Sequence, residues 1–402
     1  MKRFVLIFAA LAILVNPVHA KEMVLLGIDV LEQENFKSLA GKKIGLVTNH
    51  TGTDRKGRTT IDVLFRAPNV RLLRIFSPEH GIRGQEKGGA VISDGKDAKT
   101  GLPIYSLYGK TDRPTGEMLE GLDALVFDIQ DIGTRFYTYT TTLAYCLEEA
   151  AKRGIEFVVL DRPNPITGSI TEGEVLSPEV RHFTAYLEIP TRHGLTIGEI
   201  ANWVNQTKLL NAKLTVIKMK NWQRTMWWDE TGLVFRPTSP NIRDLNTALL
   251  YSGVGAFEAT NVSVGRGTEK PFQLFGAPWI TNAEELAERL NLGNLPGFEF
   301  ETVQFKPEDD LYRGETCRGV KIKVTNREEA RPIDLFIHAF MILRELYPQN
   351  FEPRWTEIER VTGSGRFKEM IEMQYPADTI LEVYRGEANW FVKSRKKVLL
   401  YE

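Results

Sequence analysis

Between Lys42 and Leu160 five short apolar runs alternate with stretches of helical spacing, and this alternation constrains the fold more than any other feature. Ala124–Ile129 (ALVFDI) and Glu156–Leu160 (EFVVL) place apolar side chains at consecutive positions. Successive residues of a strand point to opposite faces, so such runs need cover on both sides. Lys42 to Thr48, Val70 to Phe76 and Ile104 to Leu107 read as the other three strands. Thr59 to Phe65, Gly116 to Gly121 and Phe136 to Arg153 read as helices between them, the last stopping at Gly154, a residue suited to a left-handed cap. Thr196 to Asn205 starts with a threonine and carries Glu199 three residues later, the pattern of a capping box. The expectation is an α/β fold, with a parallel sheet covered by helices on both faces.

At 402 residues the chain is long for one domain and suggests two. The pattern loses regularity near Pro237–Asn241 (PTSPN). Beyond it, Asn282–Leu290 and Ile333–Leu346 read as helices, and Phe300–Phe305 and Val320–Val324 as strands. Phe367–Met373 and the stretch from Glu382 read as helical or mixed. Residues 21–240 are therefore expected to form the larger domain and residues 241–402 a smaller α+β domain that completes a cleft. Residues 1–20 read as a signal peptide: Lys2 and Arg3, then the apolar run Phe4–Val15, then Val18-His19-Ala20. That predicts an exported protein, periplasmic or secreted, with no stable membrane insertion after cleavage. Cys146 falls in a helical pattern and Cys317 in a strand-like one, so two buried free thiols are expected rather than a disulfide. With 51 basic and 52 acidic residues, the chain has no electrostatic footprint for nucleic acid.

Ligands of an open parallel sheet bind beyond the carboxyl ends of its strands. Polar residues stand just past the end of every strand here. Asn49 and His50 come after the first, Glu79 and His80 after the second, and Tyr108 after the third. Asp128, Asp131, Arg135 and Tyr137 come after the fourth, and Asp161, Arg162 and Asn164 after the fifth. His193 precedes the Thr196 helix. Such a row is more than loop bonding requires, and it predicts a site at this edge. No glycine-rich dinucleotide turn, phosphate loop, nucleophile elbow or H-E-x-x-H pair is present, and no cofactor is expected.

Carboxylates remain. Glu79 and Asp128 should face each other across neighbouring strand ends, and Glu172 and Glu174 (TEGE) lie on the loop after the fifth strand. Glycosidic hydrolysis needs an acid to protonate the leaving oxygen and a second group to activate water, attack carbon or hold an acetamide. Glu79, between Pro78 and His80, is the candidate acid. Asp128 and Asp131 also suit capping of a helix beginning near Gly133-Thr134. His50, His80 and Asp128 would make a chemically reasonable metal site, so a metal-dependent hydrolase of a wall amide or ester is an alternative. A non-catalytic exported sugar-binding protein is another.

Six ordered blocks then carry a resemblance. They are Phe76–Gly81 (FSPEHG), Thr100–Gly109, Phe127–Tyr137, Asp161–Pro165 (DRPNP), Arg192-His193-Gly194 and Ser239-Pro240-Asn241. Together they resemble the NamZ-type exo-β-N-acetylmuramidases, across nearly the whole chain after residue 20. The resemblance implies a Rossmann-like N-terminal domain, a smaller C-terminal domain and an active site between them. It implies release of terminal N-acetylmuramic acid from the non-reducing end of peptidoglycan fragments during wall turnover or recycling. Glu79 and His80 inherit the catalytic expectation. The matching block from Glu258 through Asn261 to Gly265-Arg266-Gly267-Thr268 would put Glu258, Asn261 and Arg266 on the cleft wall. Arg266 or Arg135 suits the lactyl carboxylate of muramic acid, because a guanidinium meets a carboxylate bidentately.

Overall fold

The protein is described by a computed structural model covering residues 23–402. The expected signal peptide, residues 1–20, lies outside the described residues. Among the described residues ten strands form two sheets. In the first domain these are β1 Lys43–Thr48, β2 Arg71–Ser77, β3 Gly95–Lys96, β4 Pro103–Ser106, β5 Ala124–Asp128, β6 Glu156–Leu160 and β7 Leu214–Ile217. They make a sheet of order β3-β4-β2-β1-β5-β6-β7. All neighbours run parallel except β3, which pairs antiparallel with β4, so the sheet is mixed rather than purely parallel.

The chain moves outward from β1 through β2 to β4, then returns to add β5 on the other side of β1. That reversal opens a crevice at the carboxyl ends of the strands. Strand alternation sends Ile44, Leu46, Val126, Val158 and Leu160 to one core. It sends Val47, Phe76, Leu125, Phe127 and Val159 to the other. Gly45 is required where it stands, because a Cβ there would lie 2.7 Å from the Phe76 ring. Thr196 closes the expected capping box: its hydroxyl accepts from the Glu199 amide at 3.2 Å, and Glu199 accepts from the Thr196 amide at 3.0 Å.

The second sheet is antiparallel, of order β8-β10-β9, from β8 Leu274–Ala277, β9 Phe298–Phe305 and β10 Cys317–Val324. Helix Ala283–Leu292 packs on it, and helix Pro332–Leu346 packs on Ala283–Leu292 and on helix Leu245–Val254. The stretch from Glu382 continues helix Ala377–Ser394 and then a 3-10 turn, Arg395–Val398. Residues from both domains share one continuous core. Cys146 and Cys317 are both buried and free.

Candidate active site

Glu79 sits two residues beyond the end of β2, clear of the sheet and only 9% exposed. Both of its oxygens are engaged. Oε2 accepts from the Thr138 hydroxyl at 2.6 Å, and Oε1 accepts from the Gly89 amide at 3.1 Å. Thr138 is the N-cap residue of helix Tyr139–Lys152, yet its hydroxyl makes no cap bond. The Tyr108 phenol also faces Glu79. Burial, then the nearby Glu79 charge, push that phenol up to about 12, so it keeps its proton at any physiological pH. His80 comes next, in a left-handed backbone conformation, φ 68°. Its Nδ1 lies 2.8 Å from the Glu86 carbonyl, which can only accept, so Nδ1 donates to it.

These groups line a cavity of about 300 Å³ whose far wall comes from the second domain: Tyr251, Glu258, Arg266 and Phe272. Arg266 reaches Glu258 Oε1 at 2.5 Å through Nη1 and Asp310 Oδ2 at 2.8 Å through Nε. Burial pushes the Glu258 carboxyl up from its ordinary range, and the Arg266 charge works against that. Tyr137 stacks edge-on with Tyr251 at 6.0 Å, and Tyr251 with Phe272 at 4.8 Å, so an aromatic wall joins the two domains beside the glutamates. Glu79 Oε1, His80 Cε1 and Arg266 Nη2 all lie within 4 Å of the point that a Cβ on Gly88 would occupy. A bare backbone at residue 88 thus leaves space where a carboxylate, an imidazole and a guanidinium converge.

The profile of the exo-beta-N-acetylmuramidase NamZ N-terminal domain matches residues 44–246, and that of the C-terminal domain matches residues 249–401. The chain belongs to the NamZ exo-β-N-acetylmuramidase family. It is 42% identical over 387 residues to the peptidoglycan β-N-acetylmuramidase NamZ of Bacillus subtilis (strain 168), spanning 96% of this chain and 93% of that one. A crystal structure of a DUF1343 family protein from Bacteroides fragilis NCTC 9343 superposes with TM-score 0.89 at 37% identity, over 94% of this chain and 99% of that one. A second DUF1343 family protein from the same organism gives TM-score 0.75 at 29% identity, over 95% and 99%.

Of the residues singled out in the sequence, this NamZ-family structure brings Glu79, His80, Tyr137, Glu258 and Arg266 to one cavity. Asp128 is a correction. It is the last residue of β5 and still in register with Thr48, so it lies within the sheet and not beyond it. Arg162 takes both of its oxygens, at 2.6 and 2.9 Å, and the Thr60 hydroxyl adds a third bond. Glu172 and Glu174 are also placed away from the cavity. Glu172 pairs with buried Arg192 at 2.5 Å, and Glu174 with Arg366 at 2.7 Å and the Ser364 hydroxyl at 2.8 Å. Burial raises both carboxyls, opposed by their arginine or serine partners.

The other candidates hold backbone. Arg135 donates to the carbonyls of Glu174, Ile189 and Val361, a buried inter-domain clamp that does not line the cavity. Asn49 closes a turn onto Thr51, and Asn164 bonds Leu195 and Ile166. His193 accepts from the Leu195 amide at Nδ1 and turns Nε2 to Asp131 Oδ2 at 3.2 Å, while the same oxygen accepts from the Gly133 amide. Asn261 joins Asn350 and Glu352. His50 contacts the Pro237 carbonyl through Nε2 and packs under Gly84. The suggested His50, His80 and Asp128 metal set is therefore not assembled, since each is committed to a different partner. Among the described residues no cluster of three or more His, Cys, Asp or Glu is placed to hold a metal ion. Thr138, Tyr251 and Phe272 line the cavity without having been singled out as site residues.

Proposed function

We propose that this chain is an exo-β-N-acetylmuramidase: a glycoside hydrolase that releases N-acetylmuramic acid from the non-reducing end of peptidoglycan fragments. The observation that carries this reading is the pairing of Glu79 from one domain with Glu258 from the other around a cavity of about 300 Å³. That volume is at the small end for ligand pockets, which suits one sugar ring held by its end. Hydrolysis needs two groups with separate tasks, and the cavity offers two glutamates in different surroundings. Glu79 is the proton donor to the leaving oxygen, because its Oε1 lies at the Gly88 edge where the cavity opens. Glu258, braced by Arg266, serves the attacking group, whether water or the substrate's own acetamide. Arg266 Nη2 faces the same opening and is the group to meet the lactyl carboxylate. The aromatic wall supplies the apolar surface on which a sugar face rests.

We further propose that the protein is exported and works in wall turnover or recycling, a reading supported by the composition of residues 1–20. The direct test of the activity is product analysis. Purified protein incubated with a muramic acid-terminated disaccharide should yield free N-acetylmuramic acid and N-acetylglucosamine by mass spectrometry. An unchanged disaccharide that binds but is never cleaved would favour the sugar-binding reading instead.

A further inference from the structure

The crevice where the sheet reverses, between β1 and β5, holds a hollow of about 140 Å³ that is separate from the sugar cavity. Thr51 and Thr53 enter it from the loop after β1, Gln130 from the loop after β5 and Arg162 from the loop after β6. Among the described residues none lines both this hollow and the cavity of Glu79 and Glu258. In open α/β sheets the reversal point is where ligands bind. Two kinds of surface meet there. One is apolar, from Leu26, Trp228, Leu233, Val234 and Phe235. Trp228 and Phe235 pack edge-on with ring centroids 5.6 Å apart, and Val234 is 78% exposed at the rim. The other is cationic, from Arg55, Lys56, Arg162 and Arg236. Arg162 is only 3% exposed. Its Nε and Nη2 are taken by Asp128 and the Thr53 carbonyl, while its Nη1 has no hydrogen-bond partner among the described residues. Arg55, Lys56 and Arg236 are exposed, and none has a carboxylate within 4 Å among the described residues. Asp54, the acid on this wall, is already engaged by Arg58 Nε at 2.6 Å and by the Lys56 and Arg58 amides at 3.0 and 2.8 Å. The hollow therefore sets uncompensated positive charge beside an apolar face.

We propose that this hollow is a second ligand site, and that it takes the phosphate monoester of a small flat ring. An apolar cavity of about 150 Å³ accepts benzene, so a single ring matches the space and a disaccharide exceeds it. The ring lies against Trp228 and Phe235, whose faces and edges favour an aromatic partner. The phosphate meets Arg162 Nη1 and the three cations at the rim. Each of those cations attracts a dianion twice as strongly as a monocarboxylate, and arginine forks match phosphate oxygens. Arg162 is held rigid by the Asp128 carboxylate before any ligand arrives, which lowers the entropic cost of binding. The site is independent of the sugar chemistry at Glu79.

The test is calorimetric titration of the purified protein with phenyl phosphate, inorganic phosphate and benzyl alcohol. Phenyl phosphate should bind about tenfold tighter than either of the others, because it alone meets both surfaces. The double variant Arg55→Ala/Arg236→Ala should weaken it about tenfold, the worth of a hydrogen bond to a charged group. Val234→Glu sets a like charge at the rim and should remove measurable binding. All three positions are exposed, so both variants should keep the parent's unfolding midpoint. Phenyl phosphate that fails to bind the parent protein, or binds no better than inorganic phosphate, overturns the inference. So does binding that both folded variants retain, which would place the ligand elsewhere on the protein.

Discussion

The hydroxyl of Thr138 and the carboxylate of Glu79 are joined at 2.6 Å, which ties the first turn beyond β2 to the start of helix Tyr139–Lys152. This bond fixes where the candidate acid points. Because the Thr138 hydroxyl does not cap its own helix, removing it touches positioning more than stability.

Thr138→Val should therefore lower turnover by roughly tenfold, the worth of one hydrogen bond to a charged group, with KM little altered. Its melting temperature should stay within a few degrees of the parent. Steady-state kinetics and calorimetry on the same preparation check this, and a large loss of stability with normal turnover would reverse the assignment.

Tyr108→Phe removes the phenol that faces Glu79. The phenol titrates at about 12, so it keeps its proton below that pH and loses it only above. The expected loss of turnover, again roughly tenfold, should be constant from about pH 5 to about pH 9. A defect that grows or vanishes within that window would mean that the phenol titrates during catalysis.

Asp128→Ala should act on the fold. It strands the buried Arg162 guanidinium, and leaving one charge of a buried pair uncompensated costs about 3–5 kcal/mol. Denaturant unfolding should show the loss as a lower midpoint with an unchanged slope. An equally stable Asp128→Ala protein that has lost activity would return Asp128 to the catalytic set.

The contrast between Glu79 and Asp128 shows how much of the site is legible in the sequence. Both are acidic residues at the end of an apolar run. Glu79 lies two positions past the last residue of its strand, whereas Asp128 is itself paired, opposite Thr48. One or two positions decide whether a carboxylate reaches the cavity or is locked into the sheet, and strand ends are read less sharply than that. Glu172, Glu174 and Arg135 are misplaced for a different reason. Their partners Arg192, Arg366 and the Val361 carbonyl come from distant segments, and a local pattern does not show which charges meet.

The strong strands and capped helices are legible because each is set by its own residues: the continuous apolar run of β6, and the Thr196–Glu199 box. Short elements are not. β7 (LTVI) is only partly buried at three of its four positions, and β8 (LFGA) contains a glycine. Helix Leu245–Val254 (LNTALLYSGV) spreads its apolar and small polar residues round the axis, so it lacks the one-sided pattern that reveals a helix. The far wall of the cavity, Tyr251 with Phe272 and Glu258, is assembled by domain packing and is foreshadowed only where a family block covers it.

The proposed chemistry stands or falls with Glu79 as the group that gives its proton to the departing sugar. Glu79→Gln keeps the side chain's size; its oxygen can still accept from the Gly89 amide and its NH2 can donate to the Thr138 hydroxyl oxygen, but it has no proton to give at neutral pH. Turnover of a chromogenic β-linked N-acetylmuramic acid should fall by roughly 10²–10⁴-fold, with an unfolding midpoint close to the parent's. Near-normal turnover by the folded Glu79→Gln protein would mean that the proton comes from another group.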